Sequence, residues 1–286
     1  MNRIQIVYFS GTGCTAMAAA FLEKALKERG REAEVLRITA GCESGAFDAD
    51  ALVLLFPVYA CTAPGPVIEW LRYVRGANGK PAAVISVSGG GEVFPNTASR
   101  VGAVKALKRK GYDVFFEDSI VMPSNFVAAT PEALATMLLQ VLPEKTLAIA
   151  DSLIAGDRKR MPPLLIDRIF ACAGKSLVRY AGPWGRKIIV SDECDGCGIC
   201  AGQCSTGNII MDGSKPEFSD KCCLCLGCFY ACPRVALKPV SAKFMIVKGF
   251  DLEETKEKAK ASEKTDVSRI SAGLIWLGVK KYLSGF

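Results

Sequence analysis

The sequence predicts an α/β protein: a five-stranded parallel sheet wrapped by helices, followed by a small cysteine-rich α+β unit. Three observations predict it. β-like runs alternate with helix-spaced segments over residues 1–155, the pattern of βαβ units and a parallel sheet. The chain has 286 residues, enough for two domains at roughly 150 residues each. Ten of its 13 cysteines lie between Cys172 and Cys232, so composition changes sharply along the chain.

The elements follow in order. Ile4 to Phe9 reads as a buried strand and runs at once into SGTGCT. Met17, Phe21, Leu22, Ala25 and Leu26 then mark a helix over Thr15 to Arg29, stopped by Gly30. Ala33 to Ile38, Ala51 to Phe56, Ala82 to Val87 and Val114 to Val121 supply four more strands. Helices are expected over Pro66 to Val74, Thr97 to Lys110 (closed by Gly111) and Pro131 to Ala155. GDRKRMPP, Gly156 to Pro163, reads as a linker within a connecting stretch 156–185. There Ile166, Ile169, Phe170, Ala173 and Leu177 mark one face of a helix. The cysteine-rich unit spans 186–240 and a helical extension 241–286. In the extension, Val267, Ile270, Leu274, Leu277 and Tyr282 follow helical spacing beside Lys280-Lys281. This helix is expected to pack back on a domain, with membrane-surface contact as the rival.

Half the residues are apolar, 23% are charged and the net charge is +7. That suits an acidic partner or anionic cofactor but is too diffuse to argue for nucleic acid. No apolar run approaches the ~18 residues that span a bilayer; Ala51 to Ile68 comes nearest and is broken by prolines. The start lacks the h-region of a secretion signal, so the expected compartment is cytoplasmic and reducing, where clustered cysteines mean metal or redox chemistry. Histidine is absent. Imidazole ligands and Ser–His or Cys–His nucleophile pairs are thereby excluded, and no catalytic residue is assigned.

Cys194, Cys197, Cys200 and Cys204 are spaced C-x2-C-x2-C-x3-C, and Cys222, Cys225, Cys228 and Cys232 repeat the spacing 28 positions later. Ser191-Asp192 matches Ser219-Asp220, and Ile209 matches Leu237, so the block is an internal duplication. Three cysteines two apart place three thiolates on one cubane, and the fourth, too far along, ligates the other cluster. The expected sets are Cys194, Cys197, Cys200 and Cys232 on one 4Fe–4S cluster, and Cys222, Cys225, Cys228 and Cys204 on the second. Two zinc sites or a disulfide knot are the rivals, but zinc sites usually pair two C-x-x-C knuckles. The block resembles bacterial two-cluster ferredoxins, with Cys232-Pro233 completing their motif and Ser205 replacing the proline after the first run. Cys223 is read as a buried small residue or a bystander in the loop, and Cys42 and Cys172 receive no role.

Strand, Ser10-Gly11-Thr12-Gly13-Cys14-Thr15, helix is a phosphate site in outline, backbone N–H groups and the helix dipole facing the anion. A dinucleotide reading of Gly11-x-Gly13-x-x-Ala16 also requires an acid at the end of the second strand, where Ile38-Thr39 stands and Glu34 comes too early. An unoccupied scaffold is the third reading. The hydroxyls of Ser10, Thr12 and Thr15 suit a terminal phosphate, and the loop resembles the flavodoxin FMN-phosphate loop, with Cys14 where asparagine is common. By that resemblance the strand order is 2-1-3-4-5, and Pro57, Val58, Tyr59 and Ala60, with Ser88, Gly89, Gly90 and Gly91, hold the isoalloxazine. Tyr59 is read equally as a stacking partner and as plain packing. Ala173-Gly174-Lys175-Ser176 mimics a P-loop end without its earlier glycine and is read as helix.

Together these features resemble flavodoxin–ferredoxin fusions of anaerobe type, over about 1–155 and 186–240. The resemblance implies FMN, two 4Fe–4S clusters and an electron-transfer oxidoreductase serving a soluble redox protein. Reduction of a small acceptor at the flavin, or redox or oxygen sensing, are the alternatives.

Overall fold

The computed structural model describes residues 1–42, 48–161, 164–263, 265–271 and 273–286. The first unit runs β1 (Arg3–Tyr8), α1 (Cys14–Glu28), β2 (Glu32–Arg37), β3 (Ala51–Pro57), α2 (Gly65–Tyr73) and β4 (Pro81–Ser88). A 3₁₀ turn (Asn96–Arg100) leads into α3 (Val101–Arg109), β5 (Asp113–Val121) and α4 (Glu132–Ala155). The strands form one sheet in the order β2-β1-β3-β4-β5, every adjacent pair parallel. This is the flavodoxin-like order of an open α/β sheet.

Side-chain alternation assigns the two faces. Ile4, Ile6, Val53, Leu55, Ala83 and Ile85 pack under α1 and α4, while Val7, Leu52, Leu54, Phe56, Ala82 and Val84 pack under α2 and α3. Both faces are covered, so the central strands are apolar throughout, as buried parallel strands must be. In α1 the inward set Thr15, Ala18, Ala19, Leu22, Ala25 and Leu26 has the spacing of one helical stripe. By length and mean hydropathy α4 passes as a bilayer-crossing helix, although Gln140, Glu144 and Lys145 interrupt its apolar sequence; over half of it is buried, against α1 and its other neighbours.

The expected linker is pinned rather than free. Gly156 closes α4 in the left-handed conformation, and the Glu117 N–H donates to the Lys159 carbonyl at 2.7 Å while Arg160 pairs with Glu117 at 2.6 Å. Residues 157–160 therefore lie beside β5; Pro162 and Pro163 fall outside the described residues. In α5 (Leu165–Arg179) the predicted face is rotated. Ile166, Ile169 and Ala173 are exposed, whereas Asp167 and Gly174 are buried and Phe170 meets Phe94 edge-on at 4.8 Å. Asp167 turns inward because its carboxylate accepts from Thr97 Oγ1 and the Leu164 N–H. The side chains of Lys175, Ser176 and Leu177 fall outside the described residues, and Gly174 lies mid-helix as expected.

A short α6 (Ala181–Gly185) leads into the cysteine-rich unit: β6 (Ile189–Val190), α7 (Ile199–Gly202), β7 (Ile209–Asp212), β8 (Lys215–Phe218), α8 (Gly227–Ala231) and β9 (Leu237–Lys238). β6 pairs with β9 and β7 with β8, both antiparallel. Its core joins Ile188, Ile209, Leu226, Phe229 and Leu237. In the extension, α9 (Leu252–Ala261) starts on Asp251, whose carboxylate accepts from the Glu254 N–H. Lys264 falls outside the described residues. The final helix, α10, covers only Leu277–Leu283, and its expected register is corrected. Trp276, Val279 and Leu283 are buried against Val121, Leu134, Leu138 and Val141, and of the predicted face Val267, Ile270 and Tyr282 pack on that cluster, whereas Leu274 and Leu277 are exposed. A 3₁₀ turn over Leu274–Trp276 shifts the phase that uniform 3.6-residue counting assumed.

Candidate functional site

The duplication extends into the backbone. Gly196, Gly198 and Gly207 have φ of 74°, 72° and 60°, and 28 positions later Leu224, Leu226 and Val235 have 56°, 59° and 49°. Gly198 and Leu226 immediately precede α7 and α8. The second repeat thus holds side chains where the first has glycine, at roughly 1–2 kcal/mol per residue. Cys194, Cys197, Cys200 and Cys232 line one small cavity. Cys204, Cys222, Cys225 and Cys228 line another, together with Cys223. Backbone N–H groups point at sulfur in matched places: Asn208 donates to Cys204 Sγ and Ala236 to Cys232 Sγ, both at 3.3 Å. Leu224 donates to Cys222 Sγ at 3.4 Å. Such bonds tune thiolate ligands of a cluster. Among the described residues no group of three or more Cys, Asp or Glu is arranged to hold a metal ion.

At the carboxyl ends of the strands lies a larger cavity of about 350 Å³, within the usual range of small-molecule sites. Ser10, Gly11, Thr12, Cys14 and Thr15 line it, as do Pro57, Val58, Tyr59, Ala60, Ser88, Gly89 and Gly90. Gly13 and Gly91 do not. The Gly13 N–H donates back to Ser10 Oγ at 3.2 Å, and Gly91 faces α10. Helix α1 has no side-chain cap and no acid in its first turn, so its amino end suits an anion. Tyr59 to Thr62 forms a two-residue hairpin, closed by N–H···O bonds of 3.0 and 2.9 Å, with Ala60 and Cys61 at φ of 47° and 61°. That geometry ordinarily selects Asn-Gly. Here α5 backs the turn, a β-carbon on Gly174 falling 2.2 Å from the Ala60 carbonyl oxygen. Glu92, at the end of the glycine loop, is gripped by Arg100, which is 2% exposed and donates to both carboxylate oxygens and to Ser86 Oγ.

The two sites share a wall. Cys223, Leu224, Cys225 and Leu226 line both the 350 Å³ cavity and the second thiol cavity. Ser205 is buried; its hydroxyl accepts from Arg37 at 2.8 Å and its carbonyl from the Ala40 N–H at 2.6 Å. Arg37 also donates to the Ser10 carbonyl at 3.3 Å. The residue at the expected proline position thus ties the first cysteine run to the phosphate-type loop. On the opposite side, the Tyr230 hydroxyl of α8 donates to the Asn125 carbonyl and accepts from the Val247 N–H. Asn125 Nδ2 in turn donates to Thr12 Oγ1.

Burial governs the thiols. It pushes Cys14 and Cys222 each up to about 12 and raises Cys228 and Cys200. Cys225 is held below its ordinary value, chiefly by a hydrogen bond from Cys223, with the Gly227 N–H and Arg37 adding to it; Cys223 rises in return. Tyr59 is raised by burial and then by the surrounding thiols, and packs edge-on against Phe9 at 6.3 Å. Cys223 packs as a small residue in the shared wall.

Sequence reasoning missed three wall segments: Met122 to Ala128 after β5, Val178 with Ala181, and Ile275-Trp276. The first carried a signal, since Pro123-Ser124-Asn125 follows a strand whose carboxyl end lies beside the other two loops. The others are brought in by long-range packing.

No family model matches the chain, and no curated protein is similar to it. Among solved structures, the Streptococcus pneumoniae TIGR4 flavodoxin is 18% identical, covering 54% of this chain and 98% of that one at a TM-score of 0.40. Bacillus cereus flavodoxin 2 is 14% identical, with coverage of 54% and 98% and a TM-score of 0.41. Rubredoxin oxygen:oxidoreductase from Desulfovibrio gigas is 18% identical with a TM-score of 0.39; the match covers 55% of this chain and only 37% of that one. The strand order itself defines the class: an α/β protein of flavodoxin-like fold.

Proposed function

We propose that the chain is an electron-transfer flavo-iron-sulfur protein, passing electrons between two 4Fe–4S clusters and FMN and on to a soluble redox protein. One observation carries this reading: Cys223 to Leu226 separate the two cavities with a single layer of residues. Cys194, Cys197, Cys200 and Cys232 would hold the outer cluster, and Cys204, Cys222, Cys225 and Cys228 the one beside the flavin. The loop Ser10 to Thr15 would hold the FMN phosphate, and the loops at Pro57 to Ala60 and Ser88 to Gly91 its ring. When bound, FMN supplies one- or two-electron chemistry and each cluster one-electron chemistry. The chain's own residues bind, orient and insulate. Leu224 and Leu226 keep water from the shared wall, backbone N–H groups steady the sulfurs, and the uncapped α1 terminus offsets phosphate charge.

The residues present fit both groups in kind. Thiols with N–H donors at sulfur suit clusters, and three hydroxyls at a helix start suit a phosphate. Ligation requires thiolates, so a bound cluster must offset the burial that raises Cys222 and Cys228. Anaerobically purified protein is expected to contain acid-released FMN and iron for two cubanes. Cys228→Ser should leave FMN bound while abolishing cluster-to-flavin electron transfer in stopped-flow reduction. Undiminished transfer in that variant would refute the proposal.

A further inference from the structure

The 3₁₀ turn Leu274–Trp276 and α10 pack beside the carboxyl end of β5 and meet the glycine loop after β4. Gly91 (φ 88°) and Gly278 meet backbone to backbone: a β-carbon on Gly91 falls 2.6 Å from the Gly278 carbonyl carbon and oxygen, and one on Gly278 falls 2.3 Å from the Gly90 carbonyl oxygen. Only glycine on both sides permits this approach. Trp276, 7% exposed, lines the cavity while it packs with Val279 and Leu283 against β5 and α4. Ile275 forms an outer lip, largely exposed but still lining the cavity. Cys223 to Leu226 line the same cavity.

We infer that residues 274–283 cap the flavin cavity and deny small oxidants direct access to the ring, so that electrons leave through the cysteine-rich unit. Trp276 is the specificity-determining residue and the Gly91–Gly278 contact its anchor. The inference rests on the flavin reading above. The reaction it suppresses is flavin autoxidation. Two electrons and two protons pass from reduced flavin to dioxygen, its N1–H and N5–H bonds breaking; dioxygen gains two O–H bonds and leaves as hydrogen peroxide. An intact cap slows this step by exclusion, as closed lids do.

The test uses anaerobically purified full-length protein with FMN and iron quantified first. Trp276→Ala removes the plug. Because it also empties part of a packed cluster, Gly278→Val provides a second route, forcing α10 away from the Gly90 carbonyl without altering the indole. Two rates are read: reoxidation of the reduced flavin in aerated buffer, and release of FMN on dilution, followed by its fluorescence. Both are expected to rise several-fold in each variant, as opening a sequestered site to solvent should do. Hydrogen exchange over residues 277–283 reports whether the cap has moved. A displaced cap with flavin bound and both rates unchanged overturns the inference, as does wild-type flavin that reoxidises as fast as free FMN. Absence of bound flavin in the wild type overturns the flavin reading and the cap with it.

Discussion

Gly11 and Cys225 touch across the boundary between the two units: a β-carbon on Gly11 falls 2.6 Å from Cys225 Cβ, and equally 2.6 Å from the Tyr59 hydroxyl. The phosphate-type loop and the second cysteine run therefore meet at backbone distance. From the other side, a β-carbon on Gly227 falls 2.6 Å from the Gly11 carbonyl oxygen. Replacing Gly11 by Ala has no room to relax, because the obstacles are a neighbouring Cβ and a packed phenol. We expect overpacking to cost about 1–3 kcal/mol, read as a lowered midpoint in denaturant unfolding, and weaker FMN binding in direct titration. Unchanged stability would show that the two units do not dock as described.

Tyr230→Phe tests the opposite edge of the same boundary. Loss of the hydroxyl strands the Asn125 carbonyl and the Val247 N–H, each of which then lacks the partner it has now. Leaving such groups unpaired costs about 1–3 kcal/mol. Faster hydrogen exchange at Val247 than within the cysteine-rich unit would locate the effect; a uniform change would contradict it.

Val235 offers a gain. Its φ of 49° strains a β-branched residue, and at 64% exposure its side chain has little packing to lose. Its counterpart 28 positions earlier, Gly207, is free of that strain. Relief of about 1–2 kcal/mol, less about 0.4–1 kcal/mol for the looser unfolded chain, leaves Val235→Gly stabilising by up to about 1.5 kcal/mol. A raised unfolding midpoint at unchanged denaturant slope is the expected result.

Cys14 sets a pH dependence. In the folded chain burial pushes it up to about 12, against an ordinary 9.0. The folded state holds that proton more tightly, so the contribution is fully present below pH 9 and is lost as pH rises from about 9 towards 12. Cys14→Ala should flatten that part of the stability profile. At pH 8, iodoacetamide should label exposed Cys172 well before Cys14, as peptide mass spectrometry would resolve; equal labelling would show that the loop is open.

The alternating face pattern of each strand was legible because its period is two and its partners are local in kind: any buried parallel strand reads as a run of Val, Ile, Leu and Phe. Cys194 to Cys232 were legible as a duplication because cysteine spacing is a property of the chain. The matching left-handed positions were not, since Leu224, Leu226 and Val235 give no residue-level sign of positive φ. The faces of α5 and α10 were misjudged where one hydrogen-bonded acid, Asp167, and one 3₁₀ turn at Leu274–Trp276 reset the phase. Missing altogether were Ile275-Trp276 as a cavity wall and Ser205 as an anchor for Arg37.

By itself, then, the sequence determined the α/β class, the order of helices and strands, and the grouping of thiols into two equal runs. These depend on periodicity, turn residues and spacing, which act over a few positions. Only the tertiary structure decided that Cys225 lies against Gly11, that Tyr230 reaches Asn125, and that Gly278 closes on Gly91. Those contacts join segments more than a hundred positions apart. They arise because the buried faces of separate units must cover one another, and no local propensity records which face meets which.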